Sequence, residues 1–209
     1  MKEKKGEMSI RITSKIPESN SERHAQLIME HWTVLHEPKS LFSTIMLSIP
    51  LMVINLFITL VIIDLFVPVS PLMFGIHPSS ISLNINLVAI LILIVLVIIH
   101  ELLHLIFIPI FRKSDKTYLG ITYYGGFVYS EENISKMRYV FITIAPFVSI
   151  SVLLPILLGS LSLLTPYLMF LILLNSMASS VDILTLILIL YQVPSGSYIT
   201  VNGKRTYWK

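Results

Sequence analysis

The sequence predicts an all-α integral membrane protein with about four transmembrane helices and a small β-hairpin after the second. Composition is the first observation behind this prediction. Of the 209 residues, 55% are hydrophobic and only 13% are charged, and the mean hydropathy is +0.81. A soluble domain has about 25% charged residues, so this chain lacks the polar residues to cover a soluble fold. The second observation is that the apolar residues occur in blocks of about 20, the length that crosses a bilayer as a helix.

Proline, glycine and serine residues separate the apolar blocks. Pro68, Pro71 and Pro78 break the chain into an irregular loop after the first block, and a turn at Gly159 separates the last two. A polar segment rich in tyrosine and glycine separates the second block from the third, so each block is a span of its own. The predicted spans are 41–67, 87–111, 139–158 and 166–191.

Lysine and arginine residues predict the orientation of the spans. They occur in the N-terminal segment, in the loop at 112–138 and in the C-terminal tail, and none lies at 68–86 or 159–165. With four spans, all three basic segments fall on one side, which the positive-inside rule assigns to the cytoplasm. We therefore expect a multi-pass protein of the cell membrane with cytoplasmic N- and C-termini. The expected parts are an N-terminal segment (1–40), a membrane-embedded domain (41–192) and a tail (193–209).

Two features of the composition limit the chemistry and the partners. The chain has no cysteine, which excludes disulfides and thiolate metal sites and leaves His, Asp and Glu as metal ligands. The net charge of +3 is spread along the chain, and without a dense basic run we expect no nucleic-acid partner. The expected partner is membrane lipid. The sequence does not indicate whether the protein is a monomer or an oligomer.

The predicted second span contains the motif His100-Glu101-Leu102-Leu103-His104. A charged residue at mid-bilayer costs about 2.5–3.5 kcal/mol, so ionisable residues there need partners or a function. On a helix, His100 and His104 lie one turn apart on one face, and both imidazoles can bind one cation. Glu101 can then take a proton from a water activated by that cation. The motif predicts a zinc site, and a polar cluster between packed helices is the alternative.

Asp182 is the candidate for a third ligand, because a catalytic zinc usually has three protein ligands and an open position. His100 lies roughly 18 Å from the cytoplasmic end of its span, and Asp182 roughly 15 Å from the end of its own, at about 1.5 Å per residue. The two residues therefore share a depth. Asp64, near the outer end of the first span, does not. The alternative for Asp182 is a helix-packing hydrogen bond near Ser179 and Ser180.

Asn175 lies two turns before Asp182 on a similar helix face. Its amide is a candidate for binding a substrate backbone or an oxyanion. Equally, it can bridge helices through Ser176 or Ser179, because polar and small residues commonly join helices in membranes.

The polar segment at 118–129 is rich in β-forming residues around Gly125-Gly126, which predicts a hairpin. Beside a proteolytic site, a hairpin can offer an edge strand to an extended peptide. The alternative is a loop whose aromatic residues lie at the membrane interface.

These residues resemble the site-2 protease class of intramembrane metalloproteases. They are more similar still to a family of small membrane proteins regarded as zincin peptidases, with the histidine motif in a transmembrane helix. The resemblance runs from about residue 85 to 205 and rests on the motif, the hairpin, Arg138, Ala145-Pro146 and the segment 175–182. It implies a bound Zn²⁺.

The resemblance to site-2 proteases also implies roles for individual residues. His100, His104 and Asp182 correspond to the zinc ligands, and Glu101 corresponds to the catalytic base. The chain departs from that class around Asp182, where site-2 proteases typically have a proline before the aspartate and a glycine after it. Neither is present here, and this weakens the substrate-binding role of Asn175 more than the ligand role of Asp182.

The expected function is zinc-dependent hydrolysis of peptide bonds in membrane-anchored or membrane-proximal polypeptides. Two alternatives stay open. The first is a zinc-dependent lipid hydrolase, because the same chemistry suits other carbonyl and phosphoryl substrates. The second is a protein without enzymatic activity, such as a metal carrier, a transporter or a structural partner.

Overall fold

The structure is a computed structural model, and it describes residues 11–15, 17–81, 87–109, 111, 114–122 and 125–209. Some residues used for the predictions lie outside this part of the chain. They are the basic residues Lys2, Lys4, Lys5, Arg112 and Lys113, and the tip of the predicted hairpin at 123–124.

Among the described residues, four helices are long and apolar enough to cross a membrane, which confirms the predicted number. They are Leu41–Asp64, Leu87–Phe107, Lys136–Ser160 and Pro166–Gln192. Each of the last two is composed of shorter pieces. The described α-helices are α1 (Ser21–Met29), α2 (Leu41–Asp64), α3 (Leu87–Phe107), α4 (Lys136–Pro146), α5 (Leu154–Ser160), α6 (Pro166–Ala178) and α7 (Ser180–Gln192), and a π-helical segment, Phe147–Leu153, joins α4 to α5.

Local sequence explains where these helices begin and end. Ser40 caps α2, because its hydroxyl accepts a hydrogen bond from the backbone N–H of Ser43 while the Ser43 hydroxyl reaches back to Ser40. Thr165 caps α6 with its hydroxyl, which accepts a hydrogen bond from the backbone N–H of Leu168, and a proline occupies the first helical position. Helix α3 ends at Phe107, earlier than the predicted residue 111, because a residue that precedes a proline (here Pro109) disfavours helical geometry.

The all-α description is not exact, because short strands outside the four long helices form sheets. The predicted hairpin is present, and strands from distant parts of the chain join it or form sheets of their own. One sheet has the order β1 (Arg11–Thr13), β5 (Thr117–Thr122), β6 (Gly125–Ser130). A second has the order β2 (Thr33–Val34), β9 (Arg205–Trp208), β8 (Tyr198–Asn202), β7 (Ile134–Ser135), and β3 (Ile76–His77) pairs with β4 (Ser80–Ile81). The strands β1, β2 and β9 have two to four residues each, which is too short for a detectable alternation of apolar and polar residues in the sequence.

The chain divides into two compact units. The helical unit contains Ser40–His100 and Ile144–Leu184, and the α/β unit contains Met1–Lys39, Glu101–Thr143 and Thr185–Lys209. Helix α3 therefore contributes its residues up to His100 to the helical unit and those from Glu101 onwards to the α/β unit.

The helical unit has a small core where α2 meets α6. Ile63, Met169 and Ile172 are fully buried there, with Leu164 and Leu173 beside them. The rest of α2 and most of α3 are exposed, with only 17% of the most apolar 18-residue stretch of each helix buried. An exposed apolar surface of this extent marks a site of interaction with lipid or with a partner protein, which is consistent with a membrane-spanning role for these helices.

The α/β unit packs its strands against the ends of three long helices. One core cluster joins the end of α3 to β7 and α4 through Leu105, Ile134 and Ile142. A second cluster joins Ile189 of α7 to Ile199 of β8. Leu119 and Val128 of the hairpin β5–β6 pack against the first of these clusters.

Candidate metal centre

His104 lies in the last turn of α3, and a backbone carbonyl holds its ring. Nδ1 of His104 lies 2.7 Å from the carbonyl oxygen of Ile142 in α4. A carbonyl oxygen can only accept a hydrogen bond, so Nδ1 carries the hydrogen. The neutral ring therefore presents Nε2 as its lone-pair nitrogen, which is the form that binds a metal.

His100, one turn earlier on α3, has a polar partner at each ring nitrogen. Nδ1 lies 2.9 Å from Oδ1 of Asn175 in α6, and Nε2 lies 3.2 Å from Oδ2 of Asp182 in α7. The side chains of His100 and Asp182 are 13% and 23% exposed. These two side chains are therefore largely but not fully buried.

The structure brings the three predicted ligands together. One ligand atom from each of His100, His104 and Asp182 lies within 4.8 Å of the other two. Two ligands bound to one tetrahedral zinc at about 2.0–2.1 Å lie roughly 3.3–3.4 Å from each other. The 3.2 Å between Nε2 of His100 and Oδ2 of Asp182 matches that spacing. Two imidazole nitrogens and one carboxylate oxygen also form a donor set that suits zinc, so these residues fit the metal, and their role as ligands stays a prediction.

Glu101, the predicted base, lies against the backbone of strand β6. A Cβ atom built on Gly126 would be 2.8 Å from both Cδ and Oε1 of Glu101 and closer still to its Cγ. Only glycine lets the strand come this close to the carboxylate. The predicted hairpin and the predicted base are therefore in contact.

Asn175 is buried in the helical unit and makes hydrogen bonds with three groups. Besides its contact with His100, its Nδ2 donates to the carbonyl oxygen of Pro146, at 3.3 Å, and to Oγ of Ser151, at 3.0 Å. Its predicted binding of substrate is not tested by these contacts and stays a prediction. Asp64 is not among these candidate ligands. It is the last residue of α2, and its Oδ1 accepts a hydrogen bond from the backbone N–H of Val69.

Sequence reasoning missed the groups that surround the ligands. The carbonyl of Ile142 contacts His104, and the carbonyl of Pro146 contacts Asn175. Neither could be found from the sequence, because a backbone group has no sequence signature. Ser151 is fully buried, and its only signal was a hydroxyl in an apolar span. Gly126 was noted as a hairpin residue, and its contact with Glu101 depends on how the hairpin packs.

Comparison with known proteins links the site to a family. Residues 93–198, just over half of the chain, match a family described as "Putative zincin peptidase". The matched range contains the histidine motif, the hairpin, Asn175 and Asp182. No significant match was found among curated proteins or among solved structures.

Proposed function

Because the chain belongs to this zincin peptidase family, we propose that it is a membrane-embedded zinc metalloprotease. Its proposed substrates are membrane-anchored or membrane-proximal polypeptides. The observation that carries the proposal is the convergence of His100, His104 and Asp182 on helices that are long and apolar enough to cross a membrane. A family of zincins that places its motif in such a helix is expected to act at the bilayer.

Each residue of the site has a proposed role. His100, His104 and Asp182 would hold the metal through two Nε2 atoms and a carboxylate oxygen. A bound zinc ion supplies Lewis-acid activation of a water molecule and of the scissile carbonyl. Glu101 accepts the proton of the attacking water and later donates it to the leaving amine.

Strand β6 is the proposed guide for the substrate. It lies at one edge of its sheet in the described part of the chain, while β1 covers the other edge by pairing with β5. An edge strand presents backbone N–H and C=O groups to an extended peptide. Since Gly126 of β6 touches Glu101, a peptide paired with this strand would run past the catalytic carboxylate.

The proposed location is the cell membrane, with both termini in the cytoplasm. The pairing of β2 with β9 supports this orientation, because it joins residues 33–34 to residues 207–208. Two segments that share a sheet must lie on the same side of the membrane, and an even number of spans allows this. The basic residues of the N-terminal segment and of the tail favour the cytoplasmic side.

The proposal is tested with purified protein in detergent. The substrates are a fluorescence-quenched peptide joined to a transmembrane segment and the same peptide without it. We expect zinc-dependent cleavage that Glu101→Gln reduces by at least about 100-fold, since general acid–base catalysis contributes about 10²–10⁴-fold. The Glu101→Gln variant should keep its zinc, and Glu22→Gln, at an exposed position on α1, should be fully active.

Other results would reject the proposal. Full proteolytic activity in Glu101→Gln would exclude Glu101 as the base. Cleavage of lipids but of no peptide would favour the lipid hydrolase. Loss of cellular function in His100→Ala, with none in Glu101→Gln, would favour a metal carrier, a transporter or a structural partner.

A further inference from the structure

We infer that Asn175 is a positioning residue that fixes the ring of His100 so that Nε2 faces Asp182. This inference rests on the proposed metal centre, because its consequence is the presentation of one ligand to the metal. A chain of hydrogen bonds links a backbone carbonyl, through the amide of Asn175, to the imidazole of His100.

The orientation of the Asn175 amide is determined by its surroundings. An amide side chain has one oxygen that accepts and one nitrogen that donates. The nitrogen lies 3.3 Å from the carbonyl oxygen of Pro146, and a carbonyl oxygen can only accept. The reverse orientation would set two oxygens against each other in a buried place, which is costly.

Ser151 reinforces this orientation. Its hydroxyl lies 3.4 Å from the carbonyl oxygen of Ile172 and donates to it, and its lone pairs accept from Nδ2 of Asn175 at 3.0 Å. Both groups that contact Nδ2 therefore need a donor, and Oδ1 of Asn175 is directed at His100.

The orientation of the Asn175 amide determines which ring nitrogen of His100 carries the hydrogen. Oδ1 of Asn175 can only accept, so Nδ1 of His100 carries the hydrogen across the 2.9 Å contact. The lone pair of the neutral ring is then on Nε2, which lies 3.2 Å from the carboxylate of Asp182. Two acceptors at this distance repel each other unless they share a cation, and a metal ion satisfies both.

The two histidines thus reach the same tautomer by different means. A main-chain carbonyl of Ile142 holds His104, and a side-chain substitution does not remove it. A side chain holds His100, so its support can be changed by mutation. Partners of this kind orient metal-binding histidines, and their loss typically lowers metal affinity about 10–100-fold.

The support around Asn175 is rigid because it is buried and internally satisfied. Asn175 is 2% exposed and Ser151 is 0% exposed. Ser151 belongs to the π-helical segment Phe147–Leu153, and Pro146 immediately precedes it. Single π-helical turns in helices occur frequently at functional sites, and here the π-helical segment and the residue before it each supply one of the two acceptors that orient the amide.

The competing explanation is that Asn175 only joins helices. Asn55 of α2 is the matched control, because it has the same side chain and similar burial, at 3% exposed. Its Nδ2 donates to the carbonyl oxygen of Ser176 in α6, at 3.3 Å. Asn55 therefore joins helices in the same unit, and within the described part of the chain its side chain has no hydrogen bond to a candidate ligand.

The test is zinc affinity, measured by competition with a chromophoric chelator on the full chain in detergent. We expect Asn175→Leu to weaken zinc binding about 10–100-fold. Asn175→Asp, which keeps an oxygen acceptor for His100, should weaken it less. Asn55→Leu should keep wild-type affinity, even if it lowers thermal stability as much. Wild-type affinity in Asn175→Leu, or an equal loss in Asn55→Leu, would overturn the inference.

A measurement on the unmutated chain covers the case in which Asn175→Leu does not fold. With ¹⁵N-labelled histidine and bound zinc, NMR distinguishes the ring nitrogen that carries a hydrogen from the one that binds metal. We expect a hydrogen on Nδ1 of His100 and coordination by Nε2, and the opposite assignment would overturn the inference. A wild-type chain that binds no zinc would remove the metal centre and this inference together. Tight zinc binding without proteolysis would reject only the proposed function.

Discussion

The contact between Gly126 and Glu101 predicts that a single methyl group disables the base without removing the metal. In Gly126→Ala, the new Cβ would lie 2.8 Å from Cδ and Oε1 of Glu101, well inside van der Waals contact. Overpacking of this kind costs about 1–3 kcal/mol. The crowded atoms belong to a flexible side chain, so Glu101 should move and the strand should keep its pairing.

The expected catalytic effect is large compared with the effect on stability. Displacing a catalytic group by about 1 Å can lower the rate about 100-fold, and we expect a loss of this size in kcat for peptide cleavage. Zinc content should stay at the wild-type level, because the three heavy atoms nearest to the new methyl group all belong to Glu101 and none to a predicted ligand.

A double-mutant comparison identifies the cause. If Gly126→Ala acts by crowding Glu101, its cost of about 1–3 kcal/mol in unfolding free energy should largely disappear in a Glu101→Ala background. Gly120→Ala is the matched control in β5, since its methyl group would crowd a carbonyl of Thr13 and the ring of Phe127. That variant should lose stability in either background. Wild-type activity in Gly126→Ala, or a cost that persists without the Glu101 side chain, would refute the reasoning.

Two further predictions concern the metal and pH. Purified wild-type protein should contain about one zinc per chain by elemental analysis, and His104→Ala should lose it, whereas the exposed His77→Ala should keep it; wild-type zinc content in His104→Ala would exclude this ligand. In the α/β unit, burial raises the pKa of Glu37 above its usual value of 4.5, although hydrogen bonds from the backbone and side chain of Thr206 oppose this. Folding therefore favours the protonated acid, so the contribution of Glu37 to stability is complete below pH 4.5 and decreases as pH rises through the higher pKa of the folded state. Thermal unfolding of Glu37→Gln should lack this decrease, and an unchanged pH dependence would contradict the assignment.

Local patterns carried most of the correct predictions. The four long helices were predictable because a helix that crosses a membrane satisfies its own backbone, and its apolar side chains face lipid whatever surrounds it. The helical spacing of His100 and His104 was likewise a property of one short segment. Asp182 was chosen as the candidate third ligand because depth in a membrane can be counted along a helix, and its role as a ligand stays a prediction.

The tertiary structure decided what depends on contacts between distant segments. The strands β1, β2 and β9 are two to four residues long, and their pairing with remote partners left no periodic signal, so the all-α description omitted these sheets. The carbonyls that orient His104 and Asn175 are backbone groups that every residue possesses, so only the packing of α4 and its π-helical extension identifies them. The sequence by itself predicted the spans and the candidate ligand set, because these follow from local periodicity and from the cost of charge in hydrocarbon. Only the tertiary structure decided the hydrogen-bond partners of His100 and the contact between Gly126 and Glu101, because both depend on which segments pack together.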